Sequence, residues 1–154
     1  MYRIVITLSL LLIFQCQPKE ASNKFSFEKN EKQSSRKVSM LVDLKNKGIG
    51  PVSSVVLEEA IDSVLVRRGR LMYQEKCMVC HKIGSKFIGP PPNGILKRRT
   101  PEWVMNMILN TDEMLQKDSL AKALFMEFDG QLMTNQNLNE EESRAIVEYF
   151  RVLE

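Results

Sequence analysis

Cys77-Met78-Val79-Cys80-His81 is the stretch that decides how this chain reads. A C-x-x-C-H run is the attachment pattern of a c-type haem. Two thiols add across the two vinyl groups of a porphyrin, and a two-residue gap on a helical turn lets both sulfurs reach one macrocycle. The side chain that follows then turns to the iron. Five consecutive residues thus supply covalent attachment, through Cys77 and Cys80, and proximal ligation, through His81. A bare C-x-x-C also serves zinc sites and dithiol oxidoreductases. Two thiols and one imidazole are one ligand short of a closed zinc site, and His81 is the only histidine of the chain. A thioredoxin-like site wants a βαβ pattern around the pair, whereas the flanking residues read as helix or loop. The expectation is a redox protein with one covalent haem c. A non-haem dithiol protein is the competing reading.

Of 154 residues, about 100 suffice for one such domain, which leaves room for attachments. The third cysteine, Cys16, closes an apolar run from Ile4 to Phe14 that follows Arg3. A basic start followed by such a run is the pattern of an export signal. As a helix the run reaches roughly 16 Å against about 30 Å of hydrocarbon, too short to span a membrane. Ile13-Phe14-Gln15-Cys16 resembles the bacterial lipoprotein box, although Gln15 stands where a small residue is usual. Residues 1–15 are therefore read as a lipoprotein-type signal peptide, with Cys16 as the lipidated residue. An incidental cysteine is the alternative. Acyl chains on Cys16 would hold the protein at a membrane surface without a spanning helix.

From Gln17 to about Gly50 the chain is polar, with eight basic and four acidic residues. Little there builds a core, so residues 16–50 are expected to form a flexible polar tether and 51–154 the haem domain. Two more apolar stretches, Met40 to Leu44 and Lys47 to Val52, are candidates to pack on the domain's edge.

From Glu58 onward the pattern is helical and the fold class all-α. Asp62 caps a first helix that runs into the cysteine motif. Gly89-Pro90-Pro91-Pro92-Asn93-Gly94 is a loop. Thr100 caps a second helix with Pro101 at its first position, carrying Trp103, Val104, Met107 and Ile108 on one side. A third helix is expected from Asp112 to Phe128, stopped by Asp129-Gly130. A fourth begins at Asn139, with Glu142 in capping-box position, and buries Ile146, Val147, Phe150 and Leu153.

This order of elements resembles the monohaem class I cytochrome c family from about Gly69 to the C-terminus. Gly69-Arg70-Leu71-Met72-Tyr73 is similar to that family's N-terminal helix, where a small residue and an aromatic meet the last helix. Gly89-Pro90 matches its proline loop. Met133, ahead of Leu138-Asn139-Glu140-Glu141-Glu142 and Tyr149-Phe150-Arg151, matches its axial methionine, although Thr134 stands where the family usually has proline. Arg98-Arg99-x-Pro101-Glu102-Trp103 resembles cytochrome c domains found beside copper-dependent terminal oxidases and nitrous oxide reduction systems. The resemblance implies a small cytochrome c fold of about four helices around one haem, haem attachment outside the cytoplasm, and a Pro90 carbonyl on the free N–H of His81.

The sole histidine excludes a bis-histidine haem within the chain, so the distal ligand is Met, another weak donor, or nothing. Most of the nine methionines fall at helical positions that suit core filling. Met133 lies in a loop and is the candidate ligand, against incidental exposure. Arg98 and Arg99 are candidates to pair with the haem propionates, against simple solvation, and Trp103 is a core residue whose indole N–H is available to the haem edge.

Residues 67–99 hold nine Lys or Arg and one acid, and residues 100–154 hold four basic and eleven acidic residues. A basic rim would steer the carrier to a redox protein with an acidic docking patch. A net charge of +3 gives no case for nucleic acid. The leading expectation is a periplasmic electron carrier anchored to a bacterial membrane through Cys16. A haem enzyme or gas sensor with a displaceable distal ligand is the second reading.

Overall fold

A computed structural model describes residues 37–153, so the signal peptide, Cys16 and the tether as far as residue 36 lie outside the described residues. Five helices follow in order: α1 (Ser63–Lys76), α2 (Pro101–Leu109), α3 (Thr111–Lys117), α4 (Ser119–Glu127) and α5 (Glu140–Phe150). Short 3-10 turns occupy Val38–Met40 and Ile95–Lys97, and among the described residues there is no strand beyond isolated bridges.

Local capping chemistry sets the helix starts. The Asp62 carboxylate accepts the N–H groups of Val64 and Leu65 at the head of α1. Thr100 accepts from Trp103 N–H at 3.0 Å, with Pro101 behind it. Asn139 and Glu142 close a reciprocal capping box on α5, whose first turn carries three glutamates against the positive end of the helix.

The main packing contact joins α1 to α5. Only Gly69 and Tyr73 of α1 are buried, one turn apart on the stripe that faces α5. Gly69 lies directly on the Ala145 carbonyl, so a Cβ there would collide with α5 backbone. Below it the Tyr73 ring meets Tyr149 at 5.6 Å and Phe150 edge-on at 5.8 Å between centroids. Alanine is the better helix former by about 1 kcal/mol, but here the clash decides. Gly69→Ala is expected to destabilise the fold by about 1–3 kcal/mol, read as a lower urea midpoint. An unchanged or higher midpoint would show that the two helices are not packed backbone to backbone.

A second tie runs through Glu148, which is 1% exposed. Burial opposes its charge, but hydrogen bonds from Arg144, the Asp62 N–H and Arg151 outweigh that and hold its carboxyl below the usual range. Arg151 in turn donates to the carbonyls of Glu58 and Glu59, fixing the chain that leads into α1.

Two expectations change. The helix expected from Asp112 to Phe128 is broken at Asp118, so the domain has five helices rather than four. Asp118 is extended, and its carboxylate accepts from Ala121 N–H, the Trp103 indole and the Asn46 amide, at 2.7, 3.2 and 2.7 Å. An aspartate serving as the N-cap of α4 cannot also sit inside a continuous helix. The second change concerns the tether. From residue 37 the chain is not a free linker but a strap bound across α2 and α4. Ser39 donates twice to Glu127, Asp43 N–H donates to the Arg98 carbonyl, and Thr100 donates to the Asn46 carbonyl. Asn106 accepts from Val52 N–H and donates to the carbonyls of Lys47 and Val52. Glu102 accepts from Val55 N–H and lies 3.2 Å from Lys47. These strap contacts let α2 bury its polar side as well as its apolar one, with Glu102 and Asn106 both covered.

Candidate haem site

The five-residue motif turns back on the end of α1. Cys77 N–H still bonds to the Tyr73 carbonyl, and the Cys77 carbonyl then receives the N–H groups of Cys80 and His81 at 3.0 and 2.8 Å. This turn places both thiols and the imidazole on one cavity of about 240 Å³. Neither thiol is in a disulfide. Burial, with the neighbouring Cys80, pushes the Cys77 thiol up to about 11, so it stays protonated at neutral pH.

The His81 ring is oriented by its surroundings. Its Nδ1 lies 2.8 Å from the Pro90 carbonyl, which can only accept, so Nδ1 carries the proton and Nε2 is left as the basic nitrogen. Burial lowers the imidazole's pKa, opposed by the Pro90 bond, and the ring is kept neutral as a metal ligand requires. Gly89 lies against the ring, where any Cβ would meet the imidazole atoms, and its N–H bonds to the Cys80 carbonyl at 2.9 Å. Glycine followed by proline is thus what the site needs: one residue thin enough to let the ring stand, then one carbonyl to fix it.

Every sequence candidate within the described residues lines this same cavity: Cys77, Cys80, His81, Pro90, Arg98, Arg99, Trp103 and Met133. Apolar side chains from α2 and α4 complete the wall, among them Val104, Ile108, Leu124 and Phe125. Of the methionines among the described residues, Met133 and Met107 alone reach it. Exposed apolar residues mark its surroundings, with Val79 71% and Leu132 69% exposed. Lys82 stacks on Phe87 and Lys86 on Phe128.

The polar shell differs in detail from expectation. The Trp103 indole N–H is taken by Asp118, so it is not free for the cavity; the capping aspartate had claimed it. Arg99 is not solvated. It is 3% exposed, donates to the carbonyls of Val38, Leu41 and Arg98, and stacks on the Trp103 ring at 5.6 Å. Arg98 donates to the Asn93 carbonyl at 2.9 Å. Among the described residues neither guanidinium has a carboxylate within salt-bridge distance. One contact was not legible: the Tyr73 hydroxyl donates to the His81 carbonyl at 2.6 Å. The general need of a buried tyrosine for a polar partner was the only signal, and it names no partner.

The donor set fits a covalent haem: two unpaired thiols on one turn, a neutral imidazole with its second nitrogen fixed, an apolar chamber, and two arginines for carboxylates. Comparison with known proteins agrees. The cytochrome c family model matches residues 66–154, and the chain belongs to that family. Its cofactor is therefore haem c and its broad role electron transfer. Among solved structures, a cytochrome c from Rhodothermus marinus is 40% identical with a TM-score of 0.65, over 68% of this chain and 89% of that one. An engineered form of that protein, bound to a carbene intermediate, is 38% identical with a TM-score of 0.63, over 68% of this chain and 89% of its own. No curated protein matches the chain significantly.

Proposed function

We propose that this protein is an electron carrier with one haem c held by Cys77 and Cys80 and ligated by His81 and Met133. The observation that carries the reading is the convergence of both thiols, the Pro90-fixed imidazole and Met133 on one apolar cavity. The haem supplies reversible one-electron exchange at its iron. The chain's own residues do the rest. Gly89 and Pro90 hold the imidazole plane and raise its basicity, and the walls from α2 and α4 keep water out. Arg98 and Arg99 would face the propionates from the chamber wall, Arg99 with its fork already bonded to carbonyls, a role supported by the absence of a carboxylate within salt-bridge distance of either among the described residues. A Met133 thioether together with the His81 imidazole would favour the ferrous state and so give a higher potential than two imidazoles.

Exposed Val79, Phe87 and Ile88 with Lys82 and Lys86 nearby make an apolar patch in a basic setting. That combination suits brief docking to an acidic face on a redox partner, fast and weak rather than tight. Export to the periplasm and a lipid anchor on Cys16 complete the reading, and among the described residues no helix is long and apolar enough to cross a membrane. The test is a reduced-minus-oxidised spectrum of protein made together with haem-maturation machinery. A low-spin six-coordinate spectrum is expected. A high-spin spectrum would overturn His/Met ligation, and colourless mature protein would overturn the whole proposal.

A second reading, a haem protein whose distal position exchanges, has one observation behind it. Among the described residues, Leu132 to Leu138 make no main-chain bond to other main chain, and the segment is tied to α2 by Asn135 on the Leu109 carbonyl at 3.5 Å.

A further inference from the structure

The segment that the family match leaves out is bound to the cavity. Residues 37–52 precede the matched span of 66–154, yet Ser39 lines the chamber and the carbonyls of Val38 and Leu41 receive the Arg99 guanidinium. The hook at the head of this strap is Ser39, whose N–H and hydroxyl each reach a Glu127 oxygen at 2.6 Å. The strap thereby does two things to Arg99: it satisfies the N–H groups with neutral carbonyls, and it shuts out the water that would screen the charge.

Resting on the electron-carrier reading, we propose that the strap is part of the redox site: by holding Arg99 buried at the cavity wall through the Ser39–Glu127 hook, it raises the haem's reduction potential. The sign follows from charge. Oxidised iron carries one positive charge more than reduced iron, so a nearby unscreened cation favours the reduced form. A propionate that pairs with Arg99 does not reverse this, since removing the arginine then bares a negative charge, which favours the oxidised form. The hydrogen bonds of the guanidinium go to carbonyls, which leave its charge in place, while the carboxylates of Asp43, Asp118 and Glu127 act on it only through space and offset part of its field.

The experiment uses the full-length holoprotein and spectroelectrochemical titration. Arg99→Met is expected to cut the ratio of reduced to oxidised protein about tenfold at fixed ambient potential, about 59 mV for one electron. Arg99→Lys, which keeps the charge but loses the fork of bonds, should recover most of that shift. Ser39→Pro is charge-neutral and removes both donors of the hook. It should free the strap, seen as faster amide exchange over residues 37–46, and lower the ratio several-fold. Combined with Arg99→Met it should add nothing further, because the strap acts through Arg99. Haem retention and helix content serve as folding controls.

A potential unmoved by Arg99→Met overturns the proposal. So does a strap that exchanges freely in Ser39→Pro at wild-type potential, or one that stays protected without its hook. Additive shifts in the double variant also overturn it, since the strap would then act by another route. Failure of the carrier reading is distinguishable, because wild-type protein without a low-spin haem spectrum would stop the titration before any variant is compared.

Discussion

Replacing both Cys77 and Cys80 with alanine leaves a protein that gives up all of its haem to acid-acetone extraction, whereas the parent chain keeps its haem through denaturation. The expected change is complete rather than graded, because each thioether is a covalent bond and no set of contacts in a cavity of about 240 Å³ substitutes for it once the fold is lost. The single variants should separate, each retaining haem through the surviving sulfur. Wild-type haem that extracts with acid-acetone would refute covalent attachment. The double variant also tests what the cavity does alone: with His81 still fixed by Pro90, haem added to folded protein should bind reversibly.

Met133→Ala is expected to be the next largest change. It should abolish the sulfur-to-iron charge-transfer band of the ferric protein, lower the potential and open the ferrous iron to carbon monoxide, which the parent should not bind. The structure narrows the controls. Met114 is fully buried and its sulfur accepts the Ile49 N–H at 3.0 Å, while Met126 is 73% exposed and off the cavity. Met107 is the competitor that matters, since it reaches the chamber from α2. If Met107→Ala loses the band and Met133→Ala keeps it, the ligand has been misassigned and the distal side is the helix rather than the loop. The loose attachment of Leu132 to Leu138 adds a further comparison: carbon monoxide binding to wild-type protein would favour the exchangeable reading over the closed carrier.

What could be read from the chain was whatever local chemistry determines. The C-x-x-C-H turn, the caps at Asp62, Thr100 and Asn139, and the helix-breaking prolines act within a few residues of themselves, so sequence alone places them. Asp118 was misread because a helix-period pattern continues across it; its three partners come from Trp103, Asn46 and Ala121, two of them distant in sequence. The strap was read only in part, as apolar stretches at the domain's edge within a tether, for a related reason. Much of its hold on the domain is hydrogen bonding by side chains, through Asn46, Asn106 and Arg99, and such bonds leave no hydrophobic period. Composition that looks like a solvated linker is also what a segment needs in order to cover the polar side of a helix. The candidates within the described residues line one cavity and the Pro90–His81 bond was expected from the resemblance, whereas the partners of the Trp103 indole and the Arg99 guanidinium were not legible.

The crossing of α1 and α5 joins helices that lie near the two ends of the span the family model matches. Gly69 and Ala145 meet backbone to backbone, yet almost the whole domain lies between them in the chain. Contacts so far apart must overcome loop-closure entropy before they return any stabilisation. The cysteine turn is local, continuous with α1, and complete without α5. The bonds of that turn thus do not need α5 in order to present the thiols, while the contact of Tyr149 and Phe150 with Tyr73 ties the helix that leads into the cysteines to the last helix of the domain.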